Sequence, residues 1–268
     1  MTLVAAVQMA SGPTVSENLT HAGHLIAQAA QAGAKLVALP ENFALMAAGD
    51  PERLGAAEPD GSGPIQEFLA TAAREHRVWL VGGTIPMATP GGSRVRASCL
   101  VYDDRGTRVA RYDKIHLFDV QLGNGERYRE SSSIEGGDET VVVPTPFGNV
   151  GLAVCYDLRF PELFRRLLDG GAELFVVPSA FTAHTGRAHW EVLLRARAVE
   201  NLAYVIAPDQ GGRHINGRET HGHTMIINPW GEILRQLPRG PGVVLAECDL
   251  STLRAMRAQL PSIEHRRL

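Results

Sequence analysis

A chain of 268 residues, 44% hydrophobic and 21% charged, has the length for a large core and the balance of an ordinary soluble globular protein. Its net charge of -3 gives no electrostatic reason to expect nucleic acid or an anionic membrane as partner, and no apolar stretch reaches transmembrane length. Three widely spaced cysteines, Cys99, Cys155 and Cys248, argue against a disulfide framework and for a reducing cytoplasm, and the N-terminal MTLVAAVQMASGP lacks the basic start and apolar length of a secretory signal.

Thr2 to Val7 reads as a buried strand, broken at Ser11-Gly12-Pro13. Ser16 is placed to cap a helix from Glu17 to about Ala32, which Gly33 ends. Lys35 to Leu39 is a second strand, stopping at Pro40-Glu41-Asn42-Phe43, so that Glu41 sits at a strand's carboxyl end. A Gly/Pro/Asp-rich loop, Gly49 to Gly63, precedes a helix from Pro64 to His76 and a strand from Val78 to Ile85, with Met87 to Arg94 as loop. Ala97–Tyr102 and Arg108–Tyr112 form a hairpin that runs into Asp113-Lys114-Ile115-His116. Val120 to Gly137, carrying Glu126 and Glu130, has no period and reads as a long loop.

Val141–Val143 leads into an apolar run, Val150 to Val154, ending on Cys155, and Pro161 opens a helix to Asp169. Glu173 to Ser179 is the next strand, followed by a helix from about Ala188 to Asn201. Strands at 203–207, 224–227 and 243–246, a turn at Asn228-Pro229-Trp230-Gly231, a helix from Ser251 to Leu260 and a basic tail from Pro261 to Leu268 complete the chain. No linker or composition break divides it, so one domain over 1–268 is expected. Strands and helices alternate early and late around a hairpin-rich middle, which suggests an α/β protein with two sheets face to face and helices outside.

G-x-S-x-G, G-x-G-x-x-G and the P-loop pattern are all missing, so a serine elbow, a dinucleotide site and a P-loop lack support. His184, His189, His214, His221 and His223 occur without a zinc spacing, and no metal is expected. What remains is Glu41, Lys114 and Cys155, each ending an apolar strand. Singly, each has a commoner reading as an exposed carboxylate, an exposed ammonium or a core thiol. Together they suffice for amide hydrolysis. A carboxylate takes the thiol proton, the ammonium and the N–H after the thiol steady the oxyanion, and the protonated carboxyl then supplies the leaving nitrogen. Arg159, four residues beyond the thiol, either pairs locally with Asp157 or Glu162 or grips a substrate carboxylate.

PENF at 40–43, DKIHLFD at 113–119 and CYDLRFPEL at 155–163 resemble the three signature regions of the carbon–nitrogen hydrolase, or nitrilase, superfamily. The resemblance runs from Leu3 to Arg267. It implies a four-layer α-β-β-α sandwich, a Glu41-Lys114-Cys155 triad with Glu130 as a second glutamate, no metal or organic cofactor, and a homodimer or larger assembly paired through helices near the site. CYDLRFPE is similar to the amidase branches, and PSAFTAHTGRAHWEVLLRARAVEN with LPSIEHRR resembles the Nit branch of ω-amidase-like enzymes. By that likeness Tyr156, Arg159, Phe181 and Thr185 face the substrate, a small amide bearing a carboxylate. THGH at 220–223 departs from the expected SxGH while keeping a hydroxyl, and the loops 49–63 and 120–130 carry no motif that fixes substrate size. An ω-amidase for α-ketoglutaramate or succinamate, an N-carbamoyl amino acid hydrolase and an idle binding module of the same fold are the alternatives.

Overall fold

Strands that are apolar on both faces need a cover on each side, and this chain supplies it by stacking two sheets between helices. The computed structural model describes residues 1–267 except Asn124 and Asn216. Leu268 of the expected tail and Asn124 of the expected loop therefore lie outside the described residues.

The first sheet contains β1 (Thr2–Gln8), β2 (Leu36–Ala38), β3 (Trp79–Val81), β4 (Ile85–Ala88), β5 (Val95–Tyr102), β6 (Arg108–Asp113) and β15 (Gly242–Cys248). β1 lies parallel to β2 and antiparallel to β15, and β2 lies parallel to β3. Alternation along β1 sends Val4 and Ala6 toward the second sheet and Ala5 and Val7 toward the helices. Those helices are α1 (Val15–Gln31) and α3 (Pro64–His76), packed side by side on the outer face.

The second sheet runs β14-β13-β12-β11-β10-β9, from β9 (Val142–Thr145) and β10 (Gly148–Leu152) through β11 (Leu174–Val176), β12 (Tyr204–Ala207) and β13 (Thr224–Ile227) to β14 (Ile233–Leu237). Outside it lie α4 (Pro161–Asp169) and α5 (Ala183–Asn201), through Leu163, Phe164, Leu167, Trp190, Leu194 and Ala198. The result is the expected α-β-β-α sandwich, with α6 (Leu250–Gln259) anchored through Leu253.

Several local expectations are corrected. Helix α1 begins at Val15 with Thr14 before it, so Ser16 lies inside the helix and caps nothing. The loop 49–63 contains a short helix, α2 (Asp50–Gly55). The strand expected over 78–85 is two segments, β3 and β4, laid end to end along one edge of β5. Between them Gly83 has φ 55, and a Cβ there would sit 2.1 Å from the Pro40 carbonyl oxygen. The break thus admits the chain that leads into Glu41. The expected loop 120–137 holds a small hairpin, β7 (Asp119–Gln121) with β8 (Arg127–Arg129), and a 3-10 turn at Glu130–Ser132. Helix α5 starts earlier than expected, where the Thr182 hydroxyl accepts the Thr185 N–H, and β14 was not expected at all.

Candidate active site

Three strand ends converge at one edge of the sandwich. β2 runs out into Glu41, β6 into Lys114 and β10 into Cys155, and all three side chains are buried. Asn42, just past Glu41, takes φ 58 and donates its N–H to the Thr84 hydroxyl at 2.9 Å. Cys155 itself has φ 49, a left-handed backbone that costs a residue with a Cβ on the order of 1–3 kcal/mol. Its N–H donates to the Pro178 carbonyl at 3.0 Å, which holds the sharp turn against the next strand's end.

The Lys114 Nζ donates to Glu41 Oε1 at 2.7 Å and to both Glu130 oxygens at 2.9 Å. Glu41 Oε2 accepts the Ala180 N–H at 2.9 Å, and the Ala180 carbonyl accepts from the Arg218 guanidinium. Glu130 Oε2 also accepts the Phe118 N–H at 2.6 Å. The Cys155 thiol and the Glu41 carboxylate line the same cavity, close enough for the Glu41 charge to act on the thiol.

These contacts fix the protonation states. Burial alone would raise the Glu41 carboxyl, but the charge and hydrogen bond of Lys114, with Arg218 behind, bring it below the usual value. Burial would likewise lower the Lys114 ammonium, and the charges of Glu130 and Glu41 outweigh it and raise it. The Cys155 thiol is pushed well up by burial and by the Glu41 charge, with Lys114 only partly opposing. A neutral thiol, an ionised carboxylate and a charged ammonium therefore sit together. That is an arrangement in which the carboxylate can draw the proton from sulfur as sulfur attacks.

The group opens into a cavity of about 670 Å³, within the range of small-molecule sites, and every residue expected at the site lines it. Tyr156, Arg159, Phe181 and Thr185 form its wall beyond the thiol. The Arg159 guanidinium lies 5.6 Å from the Tyr156 ring centre and 5.2 Å from that of Phe181, and approaches the His189 Nδ1 at 3.1 Å. Local pairing with Asp157 or Glu162 does not occur: among the described residues no carboxylate forms an ion pair with Arg159. The Thr185 hydroxyl bonds that of Thr182 at 2.8 Å.

Sequence reasoning passed over Arg218, which also lines the cavity and stacks 5.3 Å from the Tyr128 ring centre. It also passed over Asp209, fully buried behind the site, whose Oδ1 accepts the Phe181 N–H at 2.9 Å while Oδ2 has no hydrogen-bond partner among the described residues. Burial raises that carboxyl well above the ordinary aspartate range. Nothing in the flanking sequence marks either residue. Of the histidines, His214 is held by the Ser11 carbonyl at 2.9 Å and the Thr220 hydroxyl at 2.8 Å, while His221 and His223 stack 4.3 Å apart. Among the described residues no group of three or more His, Cys, Asp or Glu side chains is placed to hold a metal, and no helix is long and apolar enough to cross a membrane.

Comparison with known proteins agrees with this geometry. A deaminated glutathione amidase from Synechocystis is 45% identical over 98% of this chain and 97% of its own length. The crystal structure of the C. elegans NitFhit protein superposes with a TM-score of 0.92 at 36% identity, covering 99% of this chain, which spans 65% of the NitFhit chain. That of Saccharomyces cerevisiae Nit3, a member of branch 10 of the nitrilase superfamily, gives 0.89 at 29% identity over 100% of this chain and 97% of Nit3. Residues 3–258 match the profile of the carbon-nitrogen hydrolases, and with the two-sheet sandwich and its converging strand ends the chain belongs to that family.

Proposed function

We propose that the protein is an amidase in which Cys155 is the nucleophile, Glu41 the general base and acid, and Lys114 the oxyanion partner, with deaminated glutathione as substrate. One observation carries this reading: a neutral thiol shares one cavity with an ionised carboxylate that is itself hydrogen-bonded to a buried ammonium. As Cys155 sulfur bonds the amide carbon, its proton passes to Glu41. The negative oxygen is met by Lys114 and by the Tyr156 N–H at the start of its 3-10 turn. Collapse breaks the C–N bond, the amine leaves with the Glu41 proton, and the acyl group stays on sulfur as a thioester. Glu41 then takes a proton from water, whose oxygen attacks the thioester and releases the acid and the thiol. Glu130 holds Lys114 charged and oriented throughout.

In deaminated glutathione a ketone replaces the amino group, so the acyl half is 2-oxoglutarate and the leaving amine is cysteinylglycine. Arg159, which has no carboxylate partner among the described residues, suits the α-keto acid end. The substrate itself is inferred from the Synechocystis relative's name. The same reading takes residues 1–268 as one domain. A cytoplasmic setting is supported by three free cysteines. A homodimer across α5 is supported by the exposure of Val192, Val199 and Trp230.

The test is a panel of deaminated glutathione, α-ketoglutaramate, succinamate and an N-carbamoyl amino acid, followed by release of the free acid and amine. Deaminated glutathione is expected to exceed the others in kcat/KM by about tenfold or more. Cys155→Ala is expected to be inactive, while wild-type protein under turnover shows an acyl mass increment on the peptide containing Cys155. Preference for a small ω-amide would overturn the substrate. Turnover by the Cys155→Ala variant would overturn the thioester route.

A further inference from the structure

The two groups that must meet at the substrate carbonyl come from different sheets. Lys114 follows β6 of the first sheet and Cys155 follows β10 of the second. The packing of one sheet on another does not by itself hold two side chains to a fraction of an ångström, so their alignment needs a direct tie at the site. Besides the Glu41 carboxylate, which accepts the Ala180 N–H, a second carboxylate joins the strand ends of Lys114 and Cys155 themselves.

Asp157 lies two residues past Cys155, in the 3-10 turn, and is fully buried. Its Oδ2 accepts the Val154 N–H at 2.8 Å and the Tyr112 hydroxyl at 2.7 Å. Its Oδ1 accepts the His116 N–H at 3.0 Å and meets the His116 Nδ1 at 2.7 Å. An ionised carboxylate only accepts, so Nδ1 carries the proton in that contact. Tyr112 and His116 stand two residues before and two after Lys114, and Val154 immediately precedes Cys155. The His116 ring also stacks on Phe160 at 3.6 Å and 6°, at the far end of the turn. From the other side the buried Arg197 of α5 donates twice to the Leu158 carbonyl, at 3.1 and 2.8 Å.

We propose that Asp157 is a positioning residue, a strut between the two sheets that sets the Lys114 ammonium against the Cys155 thiol. The strut also holds the left-handed backbone at Cys155, because the Val154 N–H it accepts belongs to the residue entering that turn. Tyr112 keeps its hydroxyl proton for this contact, since burial and then the Asp157 charge push its ionisation well up. The proposal rests on Cys155 and Lys114 acting as described above.

Asp157→Asn offers one acceptor oxygen and an NH₂ group to four donors, so it cannot keep the set. It is expected to lower kcat about a hundredfold while KM changes by less than about threefold, the mark of misalignment and not of lost binding. Alkylation of Cys155 by iodoacetamide at about pH 7.5 should slow in parallel. Tyr112→Phe removes a single hydroxyl without changing shape, and should lower kcat about tenfold with KM unchanged. A folded variant with wild-type kcat and alkylation rate, or a loss confined to KM, overturns the strut. Should Asp157→Asn prove insoluble, Tyr112→Phe decides alone. Alkylation breaks a C–I and not a C–N bond, so a wild-type protein that hydrolyses no amide would defeat the hydrolase reading while the alkylation comparison still judges Asp157.

Discussion

Lys114 carries its charge between two carboxylates, and that dictates what each neighbour can do. The Glu41 carboxyl is held below 4.5, although burial pulls the other way, and it must be ionised to take the thiol proton. The acid limb of kcat/KM in the free enzyme is therefore expected to fall below pH 4.5, with no inflection through neutrality. The sign for stability agrees: a depressed carboxyl stabilises the fold above its unfolded value, and that contribution is lost as pH falls through the folded one. A profile of kcat/KM against pH checks the first statement, and an inflection near pH 6, about the ordinary histidine range, would contradict it. Arg159 makes a different prediction. Its fork is braced by Tyr156 and Phe181 and, among the described residues, pairs with no carboxylate, so Arg159→Lys should raise KM for acidic amides by about tenfold or more and spare neutral ones. Equal losses on both substrate types in steady-state assays would make Arg159 part of the scaffold.

At the scale of elements, the break between β3 and β4 matters more than either strand. Gly83 lets the Pro40 carbonyl approach so closely that any Cβ would displace it, and Pro40 is the residue before Glu41. Gly83→Ala is expected to cost roughly 2 kcal/mol or more, from overpacking and the positive φ together, and to lower kcat as Glu41 shifts. Urea unfolding and turnover by the variant measure the two effects. This is also where the sequence was hardest to read. Helices bounded by Pro64, Gly33 and Pro161 were legible because those residues act locally. The β3–β4 break, by contrast, answers to the Pro40 carbonyl, distant in sequence from Gly83. The first turn of α5 was hidden by Thr185 and Gly186, poor helix formers, and Gly186 is there because the His221 ring fills the space a Cβ would need. The hairpin β7–β8 alternates, Asp119-Val120-Gln121 against Arg127-Tyr128-Arg129, but over strands of three residues, too short for a period to show. Glu41 and Cys155 were legible since each ends an apolar run, and Lys114 since it closes the β5–β6 hairpin. Asp157 was not, because its partners Tyr112 and His116 are distant in sequence.

For the molecule as a whole, the three buried thiols set an alkaline limit. Burial holds Cys248 protonated up to about 12 and pushes Cys99 and Cys155 up as well, whereas all three ionise near 9.0 once unfolded. A raised group stabilises the fold below its unfolded value and loses that contribution as pH climbs toward the folded one. Melting temperature should accordingly decline above pH 9.0, and replacing Cys248 by Ser should flatten part of the decline. Melting curves across pH 8 to 11, an interval of about three units, test this. The arrangement of the first sheet has a consequence for biosynthesis. β1 pairs on one side with β15, from Thr2 opposite Cys248 to Gln8 opposite Gly242, and the Gln8 amide donates to Gly240 at 2.7 Å. On the ribosome the earliest strand therefore waits, one edge open, until nearly the last has emerged. A nonsense codon anywhere before Gly242 would leave Val4, Ala5, Ala6 and Val7 on an unpaired edge, and its product should be found in the pellet after lysis, a template for aggregation in place of a shorter enzyme.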